Sequence, residues 1–170
     1  LVVCDCVEAR ARAIAAADTH ILGAWEEAVA TTDLDLIIVS TTHDMLVPIS
    51  TAALQAGKHV LCEKPLGRTV EEARCATRAA AEAGCVLHAG YNHRFHPAIQ
   101  ALHQVVDSGQ LGGLLNLRGR YGHGGRPGYE REWRADANIS GGGELLDQGA
   151  HLIDLSLWLL GAAEQVNGRI

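Results

Sequence analysis

Between Leu1 and Asn92, short apolar runs rich in β-branched residues alternate with helix-forming stretches. That alternation limits the possible folds more than any other feature. The apolar runs are LVVCD (1–5), DLIIVST (35–41), KHVLCEKP (58–65) and CVLHAGYN (85–92). DLIIVST is apolar along its length, as parallel strands covered on both faces require. EARARAIAAA and WEEAVATTD have helical composition, and Pro48 to Ala56 reads as a helix with Gly57 just beyond its end. In TVEEARCATRAAAEAG, Thr69 is the expected N-cap, Glu72 completes a capping box, and Gly84 marks the C-terminus. Strand and helix alternating four times over predict an α/β fold with a doubly wound parallel sheet. Right-handed crossovers then put the carboxyl ends of the strands, and any ligand crevice, on one edge.

The pattern changes after about residue 95. HPAIQALHQVVDSG predicts a helix closed by Gly109. In GLLNLRGRYG, Leu115, Leu117 and Tyr121 alternate with Asn116, Arg118 and Arg120, the signature of a half-exposed strand in an antiparallel sheet. HGGRPGYEREWRADANISGGG is a long polar loop, and loops of this length in compact domains are commonly functional. A further strand is expected to begin at QVNGRI. The division predicted is a first domain over 1–95 and a second over 96–170.

GGGELLDQGAHLID, followed by LSLWLLG, predicts a glycine loop feeding a helix that ends at Gly161. At about 100° per residue, Asp147, His151, Asp154 and Trp158 fall within a wedge of roughly 60°. Leucines and Ile153 occupy the remaining circumference, which predicts a buried helix lining something polar along one stripe. An Asp four residues before a His sets a carboxylate beside the ring, where it can hold one tautomer. That is how a general acid/base is commonly placed, the alternative being a helix-surface ion pair.

Composition bounds the rest. The chain has 170 residues, 48% hydrophobic and 20% charged, a globular profile with room for one domain and part of a second. A net charge of −6 gives no electrostatic case for nucleic acid or anionic lipid. No apolar run reaches the roughly 18 residues of a membrane span. LVVCDC lacks the basic region of a signal peptide. The five cysteines are odd in number, and Cys4, Cys62 and Cys85 lie in strand-like runs. Buried reduced thiols in a cytoplasmic protein are the expectation.

Asp5 ends the first apolar run, where a dinucleotide fold places an acid on the adenosine ribose hydroxyls; such an acid also repels a 2′-phosphate, favouring NAD over NADP. The matching G-x-G-x-x-G loop would lie some twenty residues upstream of Asp5, before Leu1, and does not occur in the chain, so an internal fragment is expected. Glu63-Lys64-Pro65 follows a buried strand, so Lys64 can keep its charge at the crevice, and the bond before Pro65 is a candidate for cis. His43, His88, His93, His96 and His103 do not assemble a metal motif: His93 and His96 have H-x-x-H spacing but no acidic or Cys ligand beside them. No G-x-S-x-G is present.

KHVLCEKP, AGYNHRF, EWR and GGGELLDQGAHLIDL, in this order and spacing, resemble the glucose–fructose oxidoreductase, inositol dehydrogenase and rhizopine-catabolism family (Gfo/Idh/MocA) over almost the whole chain. The resemblance implies a Rossmann domain followed by an α/β domain with an open, mostly antiparallel sheet. It implies NAD(P)-dependent hydride transfer at a hydroxyl-bearing carbon of a sugar, cyclitol or related polyol, in a cytoplasmic homo-oligomer. Lys64, Asp147 and His151 would form the catalytic group and meet the substrate. Asp5, Ser40, Thr41, Glu63, Lys64, Asn92 and Arg94 would bind the cofactor, with Arg134 and Asp154 as further substrate contacts. The family often has T-P-N-x-x-H where this chain has Thr41-Thr42-His43-Asp44-Met45-Leu46, so contacts near Leu46 are expected to differ. Relatives that use NAD in glycoside cleavage, or that sense nucleotides without catalysis, are the alternatives.

Overall fold

The structure, a computed structural model, describes residues 1–122 and 125–169. It comprises two compact units, Leu1–Gly90 and Tyr91–Ile170.

In the first unit, strands β1 (Val2–Cys4), β2 (His20–Leu22), β3 (Leu36–Val39), β4 (His59–Cys62) and β5 (Leu87–Ala89) alternate with helices α1 (Glu8–Ile14), α2 (Trp25–Ala30), α3 (His43–Gln55) and α4 (Val70–Ala83). All pairings are parallel: β1 with β2, and β3, β4 and β5 in that order. These are the two halves of the order 3-2-1-4-5-6, with β1 in the second place and β3 in the fourth. No described residue pairs between them, and Ile38 on β3 is 65% exposed. Strand β2 was not foreseen, because three residues, His20 to Leu22, are too few to show a period.

The core lies under the three-stranded sheet, where Val39, Val60 and Cys62 pack on Leu46, Ile49, Ala53 and Leu54 of α3 and on Ala79 and Ala80 of α4. Helix α3 begins five residues before the expected Pro48. Pro48 sits on its exposed side, and the apolar face packed on the sheet outweighs the one backbone hydrogen bond proline removes. Leu46, expected near a ligand, is fully buried in this core. Gly57, at φ +78°, ends α3: its amide reaches Leu54 O, and the Lys58 amide reaches Ala53 O. Thr69 Oγ1 accepts from the Glu72 amide at 3.1 Å, the predicted cap of α4. All five cysteines are unpaired, but only Cys62 is buried, since β1 and the start of β5 are half open to solvent. Burial raises the Cys62 thiol pKa, and its Sγ donates to Glu63 O at 3.3 Å.

The second unit holds α5 (Pro97–Asp107), α6 (Ala137–Ser140) and α7 (Ala150–Leu160), with 3₁₀ turns at Asn92–Phe95, Tyr129–Arg131 and Trp133–Ala135. Residues 113–122 are exposed, and their backbone forms no ladder with any described residue, so the alternation there does not form a strand among the described residues. An extended segment becomes a strand only when another backbone takes its amides. The segment instead passes so close to α7 that a side chain at Gly119 would overlap Leu152. His123 and Gly124 of the long polar loop, and Ile170 of QVNGRI, lie outside the described residues; 162–169 are irregular. Among the described residues no helix is long and apolar enough to cross a membrane.

Candidate active-site elements

In the first unit, parallel register sets the geometry. Val39 lies opposite Cys62 and Cys62 opposite Ala89, so Ser40, Glu63 and Gly90 emerge side by side at the carboxyl edge. The Glu63 amide donates to Val39 O at 2.9 Å, and the Gly90 amide to Cys62 O at 2.7 Å. A Cβ on Gly90 would stand 3.3 Å from Cys62 O and 3.4 Å from Glu63 Cα, a tight fit that a side chain there would relieve only by shifting the backbone by a few tenths of an ångström. Glu63 Oε2 accepts from the Lys64 amide at 3.1 Å, and the Lys64–Pro65 bond is cis. Ser40 and Thr41 are exposed just before α3. Asp5 follows β1, and its Oδ1 accepts from the Val7 amide at 2.7 Å. A carboxylate acceptor, two exposed hydroxyls and a bare glycine backbone at strand ends suit the ribose portions of a dinucleotide.

In the second unit, the predicted helix is built differently from expectation. It enters through a π-helical turn, Leu145–Gly149, before α7. The wider turn changes the angular spacing assumed from a 3.6-residue period. Burial also differs from the expected all-round pattern, because part of the apolar circumference is exposed. Asp147, His151 and Asp154 are 3%, 6% and 8% exposed, whereas Leu145 and Ile153 are 67% and 51% exposed. The polar stripe packs under the Asn92–Phe95 turn and the Arg134 loop, while Leu152 on another side lies against Gly119.

Three groups hold the stripe. His151 stacks on His93, 3.8 Å between ring centroids and 16° between planes, with Tyr91 edge-on at 6.1 Å and Tyr121 at 6.4 Å. Arg94 forks onto Asp154, Nε to Oδ2 at 2.8 Å and Nη2 to Oδ1 at 2.5 Å, so two residues expected to bind different ligands bind each other. Trp158 lies between the Arg94 guanidinium, at 5.4 Å, and the stacked His103 ring, at 3.8 Å. Arg134 Nε donates to Asp147 Oδ2 at 3.1 Å. Burial, with the Asp154 charge second, raises the Tyr91 phenol pKa. The Tyr129 hydroxyl donates to Glu144 at 2.7 Å, which pushes its pKa up to about 12. Tyr129, Arg134, Ser140 and Glu144 line a cavity of about 290 Å³. Asn92, expected at the cofactor, is exposed at the start of its turn.

Sequence reasoning missed the π turn and the His93 and Tyr91 rings around His151. The AGYNHRF element held the signal, since it brings two rings and Arg94 into one short turn. Among the described residues no three His, Cys, Asp or Glu side chains group to hold a metal.

Residues 2–91 match the family described as "Oxidoreductase family, NAD-binding Rossmann fold", and residues 99–170 match the "GFO/IDH/MocA C-terminal domain". The chain belongs to the Gfo/Idh/MocA oxidoreductase family. It is 32% identical over 145 residues to levoglucosan dehydrogenase of Pseudarthrobacter phenanthrenivorans, covering 84% of this chain and 37% of that protein. To scyllo-inositol 2-dehydrogenase (NADP(+)) of Bacillus subtilis it is 30% identical over 153 residues, covering 90% of this chain and 42% of that protein. Among solved structures, levoglucosan dehydrogenase in complex with NADH superposes with a TM-score of 0.86 at 29% identity, covering 94% of this chain and 44% of that one. The chain thus spans about two fifths of the length of the curated relatives it matches. The Rossmann-like parallel fold anticipated for the first unit is that of the family.

Proposed function

We propose that the whole protein is an NAD(P)-dependent oxidoreductase that moves hydride to or from a hydroxyl-bearing carbon of a sugar, cyclitol or related polyol. The observation that carries this reading is the buried polar stripe of α7 and its π-helical entry. Burying a carboxylate, an imidazole and a second carboxylate along one helix face is costly, and supports selection for chemistry rather than packing. The bound nicotinamide supplies the hydride acceptor or donor. His151 takes the hydroxyl proton as the substrate is oxidised and returns it in reduction. Its stacked partner His93 limits the ring's orientation, and burial keeps bulk water from competing for the proton. Asp147 completes the group. Lys64 orients the cofactor ribose and the substrate hydroxyl, while Asp5 accepts from the adenosine ribose; Ser40, Thr41 and Glu63 line the crevice, and Asn92 serves the nicotinamide side.

The Asp5 carboxylate favours NAD, in keeping with the NADH held by levoglucosan dehydrogenase, although the Bacillus relative is named for NADP. Substrates of the two curated relatives named above, an anhydrosugar and a cyclitol, support a ring polyol. Unpaired cysteines support a reducing compartment such as the cytoplasm, and a net charge of −6 favours a small-molecule substrate over nucleic acid or anionic lipid; a homo-oligomer is carried over from the family resemblance alone.

The test is a panel of sugars, anhydrosugars and cyclitols offered to the full-length protein with NAD or NADP, following the absorbance of the reduced nicotinamide. Turnover of at least one ring polyol with NAD preferred is the expected result. No hydride transfer to any of them, with release of free sugar from a glycoside instead, would replace this reading with glycoside cleavage.

A further inference from the structure

We propose that Arg134 is a positioning residue for Asp147, and that its guanidinium does not contact substrate. The proposal rests on the functional reading above, in which Asp147 belongs to the catalytic group. Arg134 Nε lies 3.1 Å from Asp147 Oδ2. Its Nη1 lies 3.4 Å from Glu132 Oε2, and one guanidinium face lies 4.4 Å above the Trp133 ring. Glu132 is itself gripped by Arg126, Nε to Oε1 at 2.8 Å and Nη2 to Oε2 at 2.6 Å. The order Arg126, Glu132, Arg134, Asp147 is therefore a run of alternating charges that starts at the exposed loop and ends at a carboxylate whose side chain is 4% exposed. A guanidinium engaged along two edges and one face has little freedom to turn toward a ligand.

The backbone beneath Asp147 gives the reason such a brace is needed. Asp147 stands in the π-helical turn, just after Gly141 and Gly143 at φ +80° and +54°. A wide turn entered from flexible glycines does not by itself hold a side chain to a few tenths of an ångström. Gln148 Nε2, at 3.4 Å from Asp147 Oδ2, adds only a long second donor. A buried carboxylate is costly without a cation or strong donor beside it, and the Arg134 guanidinium supplies both charge and one directed N–H.

The experiment uses the full-length protein and four variants: Arg134→Met, Arg134→Lys, Asp147→Asn, and Asp147→Asn combined with Arg134→Met. Arg134→Met is expected to lower kcat by on the order of 10-fold or more while KM changes less than about twofold. Arg134→Lys keeps the charge but not the fork, and is expected to fall between Met and the parent with the same split. In the Asp147→Asn background, removing Arg134 is expected to cost little more, because the group it serves has gone. A rise in KM with kcat unchanged, in either single variant, would make Arg134 a substrate contact and overturn the proposal. An equal loss in both backgrounds would make its role independent of Asp147, and also overturn it. Asp147→Asn at parental turnover would instead remove Asp147 from the catalytic group, so the underlying reading fails by a different and separately visible result. Should Arg134→Met not fold, the split in Arg134→Lys decides.

Discussion

The imidazole of His151 lies flat against that of His93, which comes from the Asn92–Phe95 turn before α5. Two stacked rings, one of them 6% exposed, fix where the second presents its nitrogens. Substituting His151 by Ala in the full-length protein is expected to lower turnover by at least about 10², and Lys64→Ala to do the same. His93→Leu, which keeps bulk but loses the flat ring, is expected to cause a smaller loss than His151→Ala. Steady-state rates check all three, and near-parental turnover in both alanine variants would show the role assignments to be wrong.

Arg94 and Asp154 form a fork with the carboxylate side chain 9% exposed and the arginine 38% exposed. The arginine's partial exposure screens the pair, so Asp154→Asn is expected to cost about 1–2 kcal/mol of stability rather than the larger loss of a fully buried pair. Denaturant unfolding of the full-length protein measures it. An unchanged midpoint together with a raised KM would point to Asp154 as a substrate contact.

Lys58 is 5% exposed, and its ammonium donates to Thr31 O at 2.6 Å and Leu34 O at 2.9 Å. It closes the loop after α2 onto the start of β4. Lys58→Met leaves two carbonyls short of a donor and is expected to destabilise by about 2–3 kcal/mol. A thermal midpoint within a degree or so of the parent would refute this.

At the start of α4, Thr69 Oγ1 caps the Glu72 amide and Glu72 binds Arg68, its Oε2 accepting the Arg68 amide at 2.7 Å. Thr69→Ala is expected to cost about 1 kcal/mol. The Arg68 side-chain hydrogen bond, opposed by burial, lowers the Glu72 carboxyl below its ordinary value. Its folded pKa is therefore below its unfolded one, so this contribution is present in full above the usual glutamate range and is lost as pH falls through the lowered folded value. Glu72→Gln should flatten the acid side of the stability profile by that contribution, as unfolding at stepped pH will show.

Elements with a local cause were readable in order along the chain. The capping box at Thr69, the left-handed glycines after α3 and α4, and the continuous apolar run of β3 each depend on neighbouring residues, so spacing alone identified them. The candidate residues of the motif, Asp147, His151 and Asp154, were legible for the same reason: a helical repeat puts them on one side. What they touch was not. His93 on His151, Arg94 on Asp154 and Arg134 on Asp147 join positions 58, 60 and 13 apart, and no local period encodes such pairs. The π turn and the exposure of Leu145 and Ile153 were likewise decided by packing, because hydrophobicity says which residues prefer burial, while only the folded neighbours determine which face is covered.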